Sequence, residues 1–174
     1  MDLDLAGKTA VVTGATKGIG LAVTTALVAE GVRVVAGSRS SSAELDALGD
    51  AVRFFPVDLS TAAGPAALVA EAGGALDILV NNVGALTPRT TGFLNVTDDD
   101  WLATLNLDLM AVVRTTRAAI PLLIERGGGT VVTIWLSGPE AVSERPLRAR
   151  PAPGRSSGRA TPATRVGQRT TSAT

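Results

Sequence analysis

The sequence predicts an α/β fold, a doubly wound parallel sheet with strand order 3-2-1-4-5 and helices on both faces. Short apolar runs of the kind found in buried parallel strands alternate with amphipathic stretches, and glycines mark the junctions between them. Such repeated β-α-β units have right-handed crossovers. A ligand site is then expected at the carboxyl ends of the strands, near the switch in strand order.

Five strands and four helices are predicted before residue 135. Asp98 to Asp100 stand where carboxylates favour a helix N-terminus, and the glycines at 127–129 stand where a helix ends. Gly31 ends the first helix in the same way. The predicted strands are 8–13, 32–37, 52–57, 76–80 and 130–134, and the predicted helices are 19–30, 43–48, 62–72 and a long one over 98–126.

Composition divides the chain near residue 137. Residues 1–137 carry nine basic and 14 acidic side chains, whereas residues 138–174 carry seven arginines and two acids, so net charges of −5 and +5 cancel. The last segment holds five prolines and few large aliphatic side chains, too little apolar surface to offset its ordering entropy. We therefore expect one folded domain over 1–137 and a disordered basic tail over 138–174.

Several classes of protein are disfavoured by what the chain lacks. Without cysteine or histidine it can form no disulfide and no thiolate or imidazole metal site, so we predict no metal. No signal-peptide core is present, and no apolar run approaches the ~18 residues that span a bilayer. A cytoplasmic protein without a membrane partner is expected.

The strongest local signal is a glycine-rich segment between the first predicted strand and helix. Gly14 permits a sharp turn, Gly18 lets backbone approach a phosphate, and Gly20 lets the helix pack close to the sheet. The positive N-terminus of that helix favours a pyrophosphate. An ordinary tight turn, which also favours glycine, is the alternative. The segment is Thr13-Gly14-Ala15-Thr16-Lys17-Gly18-Ile19-Gly20, with nucleotide contacts predicted from Thr13, Gly14, Lys17, Gly18, Ile19 and Gly20.

The spacing Gly14-x-x-x-Gly18-x-Gly20 resembles that of the short-chain dehydrogenase/reductase family, whose members have a Rossmann fold. Three further motifs match in order: Asp58-Leu59 after the third strand, Asn81-Asn82-Val83-Gly84 after the fourth, and Asn106 in the long helix. The resemblance implies that Asp58 and Leu59 contact the nucleotide, with Asp58 at the adenine edge. It also implies that Asn82 and Gly84 shape the floor of the cofactor site, and that Asn106 holds a water of a proton relay.

These motif residues also have alternative roles. Asp58 and Asn81 are typical of turns and helix caps, and Asn106 could satisfy backbone groups at a helix bend. Val83 stands where the family commonly has alanine, a change that adds bulk near the cofactor.

Charge near the end of the second strand favours NADP(H). That strand ends in Gly37-Ser38-Arg39, without an acid to accept a ribose 2′-hydroxyl. Arg39 offers a planar fork to a 2′-phosphate, Ser38 lies beside it, and Lys17 adds a second cation. The resemblance implies the same preference. The alternative is that both cations are ordinary solvated surface charges.

The resemblance ends after Ile134. The family places a catalytic serine after the fifth strand and a Tyr-x-x-x-Lys pair on the next helix, whereas this chain continues Trp135-Leu136-Ser137-Gly138-Pro139 and contains no tyrosine. Ser137 lies about one residue late, and a loop serine without a role is the alternative. The resemblance implies an oxidoreductase that interconverts an alcohol and a carbonyl by hydride transfer, but we expect the chain to be inactive as given.

Two alternatives to the enzyme remain: a nucleotide-binding module that pairs with an intact relative, and a fragment without function. The tail has the composition of an out-of-frame reading of a GC-rich gene, which suggests a truncated or frameshifted product. A basic arm that binds nucleic acid is disfavoured, because the tail has no aromatic residues and its arginines are scattered.

The fifth strand is expected to be an unprotected edge. One face of the long helix is then expected to be partly exposed and able to support a homo-oligomer. Its apolar residues include Leu105, Met110, Val113 and Ile120.

Overall fold

Parallel strands form one five-stranded sheet in the order β3-β2-β1-β4-β5, which confirms the predicted order and fold class. The structure is a computed structural model that describes residues 3–85 and 92–135; Ser137 and the predicted tail at 138–174 lie outside the described residues. The strands are β1 (Thr9–Thr13), β2 (Arg33–Ser38), β3 (Val52–Pro56), β4 (Ile78–Asn81) and β5 (Thr130–Thr133).

Helices connect these strands and end where the sequence signals predicted. After α1, Gly31 adopts a φ of +76°, and the Val32 N–H donates to Leu27 O at 3.0 Å. At the start of α4, Thr97 and Asp100 form a reciprocal capping box. The helices are α1 (Gly18–Ala29), α2 (Ala43–Asp46), α3 (Gly64–Ala70), α4 (Asp98–Leu105) and α5 (Ala111–Glu125). None of the helices in the described part of the chain is long and apolar enough to cross a membrane.

The two faces of the sheet carry separate cores because side chains alternate along each strand. Val11 and Leu79 point to one face, where Leu68 of α3 and Leu123 of α5 cover them. Ala10, Val12 and Val80 point to the other face, which α1 and α2 cover with Leu21, Leu27 and Leu45. This arrangement holds the carboxyl ends of β1 and β4 side by side at the switch in strand order.

The prediction of one continuous helix over 98–126 is wrong in one respect. A five-residue π-helical turn, Asn106–Met110, separates α4 from α5. Such a turn inserts one residue into the helix, which rotates the following side chains by about 100° relative to a continuous α-helix. Neither Pro nor Gly marks the position, and side chains of the turn make contacts to other elements that are described below.

The predicted exposure of β5 and the long helix is confirmed. All four residues of β5 are exposed, and the strand forms the edge of the sheet. Leu105 and Ile120 are exposed, and Met110 and Val113 are half-buried.

Candidate functional site

A cleft of about 540 Å³ opens at the carboxyl ends of the strands, beside the junction of β1 and β4. Its position agrees with the site expected for a doubly wound sheet. Thr13 and Gly20 do not line it. The structure brings together there the other residues for which nucleotide contacts are predicted: Gly14, Lys17, Gly18, Ile19, Ser38, Arg39, Asp58, Leu59, Asn82 and Gly84.

The glycine-rich loop follows β1 and turns back over the end of the sheet. Gly14 has a φ of +65° and its N–H donates to Gly37 O at 2.8 Å, so the turn requires glycine as predicted. A Cβ on Gly20 would lie 2.1 Å from Gly14 O and 2.4 Å from Asn82 Nδ2. The close approach that Gly20 permits is therefore to the loop and to Asn82, whereas the sequence predicted an approach to the sheet.

A buried hydrogen-bond cluster fixes this loop to β4. The Thr13 hydroxyl oxygen accepts from the backbone N–H groups of Asn82 (2.8 Å) and Val83 (3.0 Å). The Asn82 amide donates in return to Thr13 O and Gly14 O, both at 3.1 Å. Because Thr13 is fully buried, it holds the floor of the cleft together from beneath, and Asn82 forms part of that floor.

The N-terminus of α1 opens toward the cleft. Lys17 is the N-cap residue, and its side chain makes no capping hydrogen bond within the described residues. Lys17, Gly18 and Ile19 are exposed and all line the cleft. A Cβ on Gly18 would meet open space. The free N–H groups and partial positive charge of this terminus are suited to a phosphate group.

Polar groups at the end of β2 form the neighbouring wall. The Thr16 hydroxyl donates to Ser38 Oγ at 3.1 Å, and both residues line the cleft with the exposed Arg39. Among the described residues, Arg39 and Lys17 are therefore the two cations on the rim of the cleft, and β2 itself contains no acidic residue.

A tight turn after β3 supplies the opposite wall. The Asp58 Oδ1 atom accepts from the Ser60 hydroxyl (2.8 Å) and from the Ser60 backbone N–H (2.9 Å). These two bonds, aided by the nearby charge of Arg39, hold the pKa of the Asp58 carboxyl below its ordinary value against a small opposing effect of burial. The Asp58 side chain therefore stays ionised and oriented by its own turn, while Leu59 beside it is buried.

The π-helical turn approaches the cleft from the far side. Leu107 lines the cleft, and Asp108 Oδ1 accepts from the Ala85 N–H at 2.9 Å. The Asn106 side chain does not line the cleft; its Oδ1 accepts from the Arg114 guanidinium at 3.2 Å. The side-chain oxygen of Asn106 is thus already engaged by an arginine.

A second cleft of about 190 Å³ lies where the loop after β4 meets the end of β5. Asn82, Val83, Gly84 and Ala85 line both clefts. Asp108 is the one ionisable side chain among the described residues that line the smaller cleft, and it already accepts the Ala85 N–H. Ser137, the other predicted catalytic residue, lies outside the described residues.

Several cleft residues were not predicted as site residues. Thr16 lies inside the glycine-rich segment, and Val57 and Ser60 flank the Asp58-Leu59 motif, so adjacency to a motif was the available signal. Ala85 directly follows the Asn81–Gly84 motif and Leu107 directly follows Asn106, so the same signal was available for both, although Leu107 reaches the cleft only through the π-helical turn.

The family model for short chain dehydrogenases matches residues 8–138 of the chain, a range that contains all of these motifs. The chain belongs to this family. Within it, the chain is similar to the uncharacterized oxidoreductase YvaG of Bacillus subtilis (strain 168). The two are 35% identical over 142 residues, which cover 77% of this chain and 53% of the relative.

Solved structures of family members share the fold. The L-sorbose reductase from Gluconobacter frateurii, complexed with NADPH and L-sorbose, is 32% identical with a TM-score of 0.69, over 76% of this chain and 54% of that one. The NADH-dependent reductase A1-R′, complexed with NAD, is 30% identical with a TM-score of 0.68, over 76% of this chain and 61% of that one. The chain spans about half the length of the curated relatives it matches.

Proposed function

We propose that this chain binds a nicotinamide dinucleotide in the large cleft and prefers NADP(H). The observation that carries the proposal is the convergence of the glycine-rich loop, the N-terminus of α1, Arg39 and the Asp58 turn on one cleft of about 540 Å³. That volume lies within the ~300–1,000 Å³ typical of small-molecule sites. Two structural neighbours were solved with NADPH and with NAD, which supports the class of cofactor but not the choice between the two.

Each part of the dinucleotide has matching residues. The backbone between Gly14 and Gly20 and the N-terminus of α1 suit the pyrophosphate. By family resemblance, Asp58 contacts the adenine edge with Leu59 beside it, and Asn82 and Gly84 form the floor. The space in front of Gly18 is open, so a phosphate can approach the backbone there.

The preference for NADP(H) follows from charge. Arg39 and Lys17 stand on the rim of the cleft, where a 2′-phosphate gains charge-assisted hydrogen bonds, and the Thr16 and Ser38 hydroxyls add neutral partners beside Arg39. Asp58 is the nearby acid, but its carboxylate is bound to Ser60 in its own turn. A free ribose 2′-hydroxyl would lack the acidic acceptor that NAD-selective sites place at the end of the second strand.

The family's chemistry is hydride transfer between the nicotinamide and a carbonyl or alcohol, and this polypeptide by itself does not carry it out. Such a transfer needs a positioned proton donor, which contributes typically ~10²–10⁴ in rate. The 174-residue chain has no tyrosine, and its lysines are Lys8 and Lys17. Asn106 and Ser137 can orient a group but cannot replace an acid tuned toward neutral pH. The small alcohol or carbonyl that is the substrate of intact relatives would therefore find no proton donor in this chain.

Nucleotide titration tests the binding proposal. NADPH should bind the 174-residue chain more tightly than NADH. Arg39→Asp should reduce or reverse this ratio of affinities, because it replaces the cation by a carboxylate. Arg117→Asp, an equal charge change at an exposed position on α5 that does not line the cleft, should leave the ratio unchanged. Equal affinities of the parent chain for NADPH and NADH would contradict the NADP(H) preference.

Turnover assays test the chemical part. The purified chain with saturating NADPH or NADP should show no oxidation or reduction above background with a panel of ketones and secondary alcohols. Turnover at a rate typical of enzymes, lost on Ser137→Ala, would mean that another acid serves in place of the tyrosine, and the inactivity would be disproved.

A further inference from the structure

Arg114 joins two parts of the molecule that are far apart in sequence. It lies half-buried near the start of α5. One guanidinium nitrogen, Nη1, donates to Ser60 O at 3.3 Å and Thr61 O at 3.4 Å, and the other, Nη2, donates to Asn106 Oδ1 at 3.2 Å. Arginine suits this position because its planar fork presents several donors in fixed directions, whereas lysine is a point charge on a flexible stem.

The first of these parts is the turn that carries Asp58. Ser60 orients the Asp58 carboxylate, and the Thr61 hydroxyl donates to Asp58 O at 2.9 Å. The same hydroxyl oxygen accepts the N–H of Gly64, the first residue of α3, at 3.0 Å. Through two backbone carbonyls, Arg114 therefore binds the turn that forms one wall of the large cleft and leads into α3.

The second part is the π-helical turn at Asn106–Met110. Three successive residues of this turn reach different partners: Asn106 binds Arg114, Leu107 lines the cleft, and Asp108 accepts the Ala85 N–H. Because the turn inserts one residue, it rotates these side chains by about 100° relative to α5 compared with a continuous α-helix, and it thereby sets the directions of the three contacts. The turn thus connects Arg114 to the loop after β4, which forms the cleft floor.

We propose that Arg114 is a positioning residue that couples the Asp58 turn to the π-helical turn, so that the two walls of the nucleotide cleft hold one arrangement. Arg114 itself does not line the cleft and acts through Asn106, Ser60 and Thr61. The coupling is a property of the protein without ligand. Its consequence for nucleotide affinity rests on the proposed function.

Amide hydrogen exchange by NMR tests the coupling in the ligand-free chain. Arg114→Met should speed exchange of the Gly64 N–H and also of the Ala85 N–H, which Arg114 does not touch, by between about twofold and about 30-fold. Arg117→Met, three residues along the same helix and exposed, should change neither amide. The Gly14 N–H donates to Gly37 O, away from the hydrogen bonds of Arg114, and should keep its rate in both variants.

A variant at Asn106 tests the same coupling from the π-helical turn. Asn106→Ala should speed exchange at Gly64, with which Asn106 has no contact, and the double variant Arg114→Met/Asn106→Ala should match Arg114→Met alone. Asn106→Asp keeps an acceptor for the guanidinium and should preserve protection at Gly64. An effect confined to Gly64 in Arg114→Met, or additive effects in the double variant, would overturn the coupling.

Titration with 2′,5′-ADP and NADPH measures the consequence for the cleft. If the parent chain binds them, Arg114→Met should weaken binding by about twofold to about 30-fold, while Arg117→Met leaves it unchanged. Binding that is equal in the parent and Arg114→Met overturns the inferred consequence. A parent chain that binds neither probe contradicts the proposed function instead, and the exchange data then decide the coupling on their own.

Discussion

Two halves of the molecule differ in how well their apolar side chains are covered. In residues 3–85, the covered half, β1, most of β2 and β4 are buried, and the exposed large apolar side chains are Leu3 and Ile19. In residues 92–135, the open half, β5 is exposed along its length. The exposed large apolar residues there are Phe93, Leu94, Trp101, Leu102, Leu105, Leu109, Ile120, Ile124, Val131, Val132 and Trp135.

This difference separates the proposed binding site from the apolar surface. The glycine-rich loop and the walls at Ser38 and Asp58 belong to the covered half and line the cleft beside its buried strands β1 and β4. The open half contributes the π-helical turn and an uncovered sheet edge. An exposed edge strand beside apolar helix residues is a surface that favours association with another chain. Nucleotide binding and association are therefore expected to respond to different substitutions.

The largest expected difference is in the loss of stability when a large apolar side chain is shortened to alanine in each half. Leu68 is fully buried, and its side chain fills the space in front of Gly37, where a Cβ would lie 2.3 Å from Leu68 Cδ2. Leu68→Ala should lower the free energy of unfolding by about 2–5 kcal/mol. Ile124 lies on α5 and is 70% exposed, so Ile124→Ala should lower the free energy of unfolding by no more than about 0.5 kcal/mol. Urea denaturation measures both; similar losses would mean that the open half is covered in solution.

A second comparison uses added volume within the site. Gly20→Ala should cost about 1–3 kcal/mol of stability and abolish nucleotide binding, because its Cβ overlaps Gly14 O and the Asn82 amide. Gly84→Ala is the matched control for stability, since its Cβ would meet nothing nearer than Asp108 Oδ1 at 3.5 Å. Thermal unfolding compares the two variants, and NADPH titration compares Gly20→Ala with the parent chain. Tolerance of Gly20→Ala would show that the loop is not held against β4 as described.

Asp77 joins the two halves and supplies a pH-dependent test. Its carboxylate accepts the Thr9 N–H at 2.9 Å and the Arg126 guanidinium at 3.1 Å. Burial raises the pKa of this carboxyl, but these two partners and the charge of Lys8 outweigh it, so the pKa is lowered overall. The ionised form is therefore favoured by folding. Its stabilisation is present above the unfolded pKa of about 3.9 and is lost as the pH falls through the folded value.

Asp77→Asn should accordingly lower the free energy of unfolding at pH 7 by about 1–2 kcal/mol, because the amide keeps an acceptor but loses the charge. The difference from the parent chain should shrink below a pH of about 4, where the parent carboxyl also becomes protonated. Denaturation curves across this range measure it. A difference that stays constant down to the acid limit would mean that the charge of Asp77 contributes nothing.

The smallest expected effect on stability is at the open surface itself. Ile124→Lys should change the free energy of unfolding by less than about 0.5 kcal/mol, yet reduce self-association, because a charge replaces an exposed apolar side chain. Light scattering over a range of protein concentrations checks this. Association that is equally strong in Ile124→Lys would exclude the α5 face as the contact surface.

Much of the site could be predicted because its residues follow strands directly. Gly14, Ser38, Asp58 and Asn82 each stand at or just beyond the carboxyl end of a strand, and a parallel sheet brings such positions to one edge. Thr13 was predicted as a nucleotide contact because it belongs to the glycine-rich segment. Its side chain is instead buried, and its hydroxyl oxygen accepts the backbone N–H groups of Asn82 and Val83 after β4.

The sequence alone determined the strand order, the glycine-rich turn and the family, because local periodicity and short motifs are properties of neighbouring residues. Only the tertiary structure decided that the long helix is interrupted at Asn106–Met110 and that Arg114 lies between that turn and Ser60. Nothing local disfavours a continuous helix there. The turn is held by residues distant in sequence, such as Ala85, whose N–H donates to Asp108 Oδ1 from more than 20 positions away, and no local pattern can show such a contact.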